Sequence, residues 1–117
     1  MLLFSACSND KQTNKTPKTH TDVKNIKIGE LTLTFKKNKL IYPINKVILL
    51  FENGNTYSKA QKAVLKKLNV LYYSTNNDYL KNYFNVQTYP TIVVLDKNKT
   101  IKYENFTPYE ILKAEGF

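Results

Sequence analysis

From Ile26 onward the chain carries readable periods. Ile26, Ile28, Leu31, Leu33 and Phe35 alternate with polar residues, the period-two signature of a half-buried strand or hairpin. Lys36-Lys37-Asn38-Lys39 reads as a turn, and Leu40-Ile41-Tyr42 as a short return strand ended by Pro43. Val47–Phe51 is a continuous apolar run, which suits a strand buried on both faces. Glu52–Tyr57 reads as a loop around Gly54 and leads into a helix through about Leu68. On that helix Ala60, Ala63, Val64 and Leu68 are expected inward, with Lys59, Lys62 and Lys66 outward. Asn69 breaks it, and Val70-Leu71-Tyr72-Tyr73 is expected as a second buried strand. Asn77 caps a short helix with Tyr79, Leu80, Tyr83 and Phe84 as its apolar residues. After Tyr89-Pro90, the strand Thr91–Leu95 turns at Asp96–Lys99 and returns through Thr100–Tyr103. A last helix follows, with Thr107 as cap, Pro108 in the first turn and Glu110 closing a capping box.

Strands and helices alternate in the middle of the chain, and a hairpin and helix close it. This order predicts an α/β fold with a mixed sheet flanked by helices. With 117 residues, 42% of them hydrophobic, the chain has room for one packed domain, expected over 24–117. No run reaches the ~20 apolar residues of a bilayer-spanning helix.

Charge alters this picture in one respect. The formal net charge is +9, and all 18 cationic residues are Lys. Nucleic-acid readout leans on the bidentate guanidinium of Arg, so the excess reads as a solvated lysine-rich surface and no nucleic-acid partner is expected. A weak attraction to an anionic membrane or partner surface is compatible with it. Residues 1–46 hold nine of the Lys against Asp10, Asp22 and Glu30.

Cys7 is the only cysteine, which rules out an intramolecular disulfide, a Cys-x-x-Cys pair or a multi-cysteine metal site. Met1-Leu2-Leu3-Phe4-Ser5-Ala6-Cys7 is apolar, then small, then Cys, and polar residues follow at once. This resembles a bacterial lipobox, in which Cys7 would receive the lipid. Phe4 stands where Leu is usual, and six residues are too few for a signal peptide, so the start is expected to lie upstream. Residues 1–7 then read as a signal remnant and 8–23 as a disordered polar tether, which contains the only His, His20.

Three pieces of the folded part resemble the thioredoxin superfamily. They are the strand Val47–Phe51 running into a loop and amphipathic helix, Tyr89-Pro90-Thr91 before an apolar strand, and the closing hairpin with its helix. The resemblance covers Val47 to Phe117, and Ile26–Tyr42 is similar to the N-terminal hairpin of membrane-tethered, periplasm-facing members. It implies a thioredoxin-like sandwich, an N-terminal β-hairpin and a cis Tyr89–Pro90 bond. The redox-motif positions fall near Thr56 and Lys59, neither of which is Cys, so dithiol exchange is chemically excluded. What the family's peptide groove implies here is a surface lined by Tyr57, Ser58, Lys59, Tyr89 and Pro90.

Other catalysis has little to build on. Ser58 lacks a histidine base in the body, and Glu52 and Asp78 have no acidic partner close in sequence. No cofactor and no metal is expected. The expectation is a redox-inactive, lipid-anchored envelope protein that binds a protein or peptide. The rival readings are an enzyme of unread chemistry on the same fold, and a basic nucleic-acid module.

Overall fold

The structure, a computed structural model, describes residues 22–117. Cys7, His20 and the expected tether up to residue 21 lie outside the described residues. Those described fall into two compact units, one of Thr32–Ile41 with the chain up to Lys27, the other of Ile28–Leu31 with Tyr42–Phe117.

The first sheet has three strands in the order β1 (Val23–Ile28), β2 (Leu31–Lys36), β3 (Lys39–Ile41). Val23, expected at the end of the tether, is the first residue of β1. Only Gly29 and Glu30 separate β1 from β2, a connection short enough for an antiparallel hairpin alone. Strands β2 and β3 pair antiparallel through Phe35 opposite Leu40. Ile26, Ile28, Leu33, Phe35 and Leu40 are buried, as the alternation requires.

The second sheet is four-stranded and mixed. Its strands are β4 (Val47–Phe51), β5 (Tyr73–Thr75), β6 (Thr91–Asp96) and β7 (Lys99–Glu104), ordered β5-β4-β6-β7. Strand β5 runs parallel to β4, while β6 is antiparallel to both β4 and β7. Ile48 and Leu50 lie opposite Val94 and Ile92 on one face. That face packs with Leu65 and Leu112, from helices α1 (Thr56–Lys67) and α3 (Tyr109–Ala114). The other face carries Leu49, Phe51 and Val93, and Phe51 meets Phe84 edge-on at 6.2 Å, at the end of helix α2 (Asp78–Tyr83). Helices on both faces explain why all five residues of β4 are buried.

The three helices among the described residues end alike. Beyond α1, Asn69 takes φ 58°, its N–H bonds to Lys66 O, and the Val70 N–H reaches back to Leu65 O. Asn85 and Val86 repeat this after α2, and Gly116 and Phe117 after α3. These are Schellman motifs, with Asn serving twice in the left-handed position. The motif also corrects the expected strand at Val70–Tyr73. Val70 is spent closing α1, Leu71 is 73% exposed, and the strand is Tyr73–Thr75.

Two other expectations fail. The inward stripe of α1 is Ser58, Gln61 and Leu65 with half-buried Val64 and Leu68, while Ala60 and Ala63 are exposed. Ser58 and Gln61 can face inward because each is hydrogen-bonded there, and alanine is small enough to leave outside. Thr107 does not cap α3 either. Pro108 occupies the cap position without a side-chain bond, and the Thr107 hydroxyl donates to Asn105 O.

Candidate functional site

The registers place four chain segments at one end of the second sheet. Phe51 pairs with both Thr75 and Thr91, and Thr91 with Glu104. Hence the exits of β4, β5 and β7 and the entry to β6 converge there. Such a strand-end crevice is where open α/β sheets place ligands.

The loop leaving β4 is locked by its own side chains. Glu52 accepts from the Gly54 N–H at 2.9 Å and the Ser74 hydroxyl at 3.0 Å, and pairs with Lys62 at 3.2 Å. Burial alone would raise the Glu52 pKa, but the hydrogen bonds from Ser74, Lys62 and Gly54, with the Lys62 charge, together hold it below the usual carboxylate range. Asn55 caps α1 by accepting from the Ser58 N–H at 2.7 Å. The Ser58 hydroxyl donates to Asn53 Oδ1 at 3.4 Å, and Ser58 is fully buried.

Across the crevice, Asn77 caps α2, and the Tyr89 hydroxyl donates to Asn76 Oδ1 at 3.0 Å. The Lys81 ammonium lies 5.8 Å from the Tyr89 ring centre and 3.0 Å from Asp78. Its pKa is raised, first by Tyr89 and then by Asp78. The Tyr89–Pro90 peptide bond is cis, as expected, and the Thr91 hydroxyl closes this turn on Thr88 O at 2.8 Å. The Thr88 hydroxyl is buried with no hydrogen-bond partner among the described residues.

Tyr57 and Tyr89 come together as walls of one groove of about 210 Å3, completed by Asn105 and Phe106 at the exit of β7. Tyr57 is 64% exposed, so most of its ring is open to a ligand. The other residues expected here are placed differently. Ser58 is turned into the body, Pro90 is buried, and Thr56 and Lys59 are exposed on the first turn of α1 without lining the groove. Asn105 and Phe106 were not foreseen; Asn105, at φ 65°, turns the chain out of β7.

Gln61 was missed as well. Its Nε2 donates to Thr107 O at 3.0 Å and its Oε1 accepts from the Thr107 N–H at 2.7 Å, both bonds buried. Thr107 directly follows Phe106, and Gln61 stands one helical turn beyond Tyr57. One helix therefore supplies a wall of the groove and clamps the chain that supplies the opposite one.

A larger cavity of about 360 Å3 lies around the start of β4, lined among others by Ile44, Leu71 and Tyr73. Apolar side chains dominate its lining, with Asn45, Lys46 and Tyr73 as the polar members, and it lies away from the strand end where Tyr57 and Tyr89 meet. Among the described residues no three His, Cys, Asp or Glu side chains gather as a metal site would need.

No protein-family model matches the chain, and no curated protein matches it. The chain is similar to a solved structure of a malarial protein, with a TM-score of 0.54 and 20% identity. The match covers 60% of this chain and 91% of that one. At this identity the likeness concerns the fold alone. The fold is mixed α/β, and no family is assigned.

Proposed function

We propose that the chain is a thioredoxin-like, redox-inactive binding module that seats an extended peptide segment of a protein partner at the Tyr57–Tyr89 groove. The observation that carries this reading is the convergence of Tyr57 and Tyr89, from distant parts of the sequence, on one open groove at a strand end. Two tyrosines and a phenylalanine offer apolar area with polar tips, and Asn105 adds an amide for peptide backbone groups. The sheet order, with the β4–loop–α1 segment and a terminal hairpin and helix, supports the thioredoxin-like part. With Cys7 the only cysteine, dithiol exchange has no place in the reading. Lipid attachment at Cys7 on the periplasmic side of a bacterial envelope completes the proposal.

The test is an array of extended peptides probed with the full chain and with Tyr57→Ser. Because Tyr57 is exposed, the substitution should leave thermal stability unchanged while weakening captured peptides about 30-fold, the ~2 kcal/mol of an interface hot spot. Equal binding by both proteins, or an array with no captured peptide, would end this reading.

A further inference from the structure

We infer that the outward face of α1 docks on an anionic phospholipid bilayer. The helix, TYSKAQKAVLKK, carries Lys59, Lys62, Lys66 and Lys67 and no acidic residue. The other helices are balanced, α2 by Asp78 with Lys81 and α3 by Glu110 with Lys113. Lys59, Lys62 and Lys66 recur at i, i+3 and i+7, so they share one face over about two turns. Lys62 is paired with Glu52, but among the described residues no carboxylate pairs with Lys59 or Lys66, and both are exposed.

Beside this lysine row on the helix surface lie Ala63 and Ala60, both outside the core. Small residues there let the helix lie close against a flat surface. The charge continues through the last residue of α1 onto α3, where Lys67 stands 4.4 Å and Lys113 5.6 Å from the ring centre of Tyr109. An arginine-free face with a net excess of lysine complements lipid headgroups, which ask only for point charge near the surface. Nucleic acid would draw on Arg forks and stacked aromatic rings, and here only Tyr57, at the helix start, offers a ring on α1. The inference is independent of the peptide groove and does not need an acyl chain on Cys7.

The experiment is co-sedimentation with vesicles of phosphatidylcholine, with and without 30 mol% phosphatidylglycerol. It uses the full chain carrying Cys7→Ser, so no acyl chain contributes. Binding should require the anionic lipid and fall steeply as salt rises, given a Debye length of about 8 Å at physiological ionic strength. Lys59→Gln with Lys66→Gln should weaken partitioning about 30-fold, at roughly 1 kcal/mol for each lysine near the surface. Lys11→Gln with Lys15→Gln removes the same charge elsewhere in the sequence and should cost less than a third of that effect. Equal losses in both double variants, or binding indifferent to lipid charge, would overturn the inference. Single-stranded RNA competing the protein off the vesicles at equal charge concentration would overturn the choice of lipid.

Discussion

Replacing Gln61 with Leu isolates the buried clamp between α1 and Thr107. The leucine keeps nearly the same volume and leaves no polar atom on residue 61, so packing changes little. Thr107, however, loses the partners of both its N–H and its C=O in a buried setting. Each stranded group costs about 1–3 kcal/mol, and the added apolar contact offsets part of it, leaving a loss of about 2–4 kcal/mol. For a body of this size that corresponds to a fall in Tm of roughly 10–30 °C. Urea unfolding should show a lowered midpoint with an unchanged m value, and the Thr107 amide should exchange faster in the native state. Gln61→Glu sharpens the test. As a carboxylate it still accepts from the Thr107 N–H but repels Thr107 O, and burial raises its pKa. As pH falls through that raised folded value the acid regains a proton it can donate, so the gap to the parent closes. The Gln61→Leu gap should stay flat with pH. A Leu variant within about 0.5 kcal/mol of the parent, or a pH-independent Glu variant, would refute the clamp.

Three further outcomes are expected. The folded pKa of Glu52 is depressed, so its contribution is present above the ordinary carboxylate range and lost as pH falls through the folded value; Glu52→Gln should flatten the stability profile between about pH 5 and pH 3, and an unchanged profile would contradict the loop's ionic lock. Lys97 and Asn98 both take positive φ, as a type I′ hairpin turn requires; Lys97→Asn with Asn98→Gly should raise stability by about 0.5–1 kcal/mol in thermal unfolding, and a loss would mean the turn is held otherwise. Thr56 and Lys59 stand one turn apart at the start of α1, so Thr56→Cys with Lys59→Cys should form an internal disulfide by mass spectrometry and give weak insulin reduction; a folded double variant with free thiols would count against the thioredoxin-like placement.

Much of the fold was legible because most of it is set by short-range periods. Val47–Phe51 and Ile92–Leu95 are unbroken apolar runs, and both lie in strands covered on two faces. Asn77 before Tyr79-Leu80 is a cap signal, and it caps α2. The errors arose where a residue's role depended on its left-handed backbone. Among the described residues five of the seven positive-φ non-glycine positions are Asn, in a chain with only three Gly. Reading Asn69 as a mere break hid the Schellman closure, and with it the displacement of β5 from Val70 to Tyr73.

The site was half legible for a different reason. Tyr57 and Tyr89 are found by asking which large side chains flank a strand-end loop and a proline turn, and both lie there. Asn105 and Phe106 give no such cue, because their place follows from the β6–β7 register and a positive φ. Ser58 and Gln61 are the instructive cases. Hydropathy assigns both to the outside, yet both are fully buried, since each finds its hydrogen-bond partners within the body. Turning α1 by that much rotates Ala60 and Ala63 to the surface beside the lysines. The same polar contacts that steady the groove thus also determine which face of α1 meets the surroundings. A helix packed by the sequence-level stripe, with Ala60 and Ala63 inward, would have faced its lysines differently and left Thr107 without its clamp.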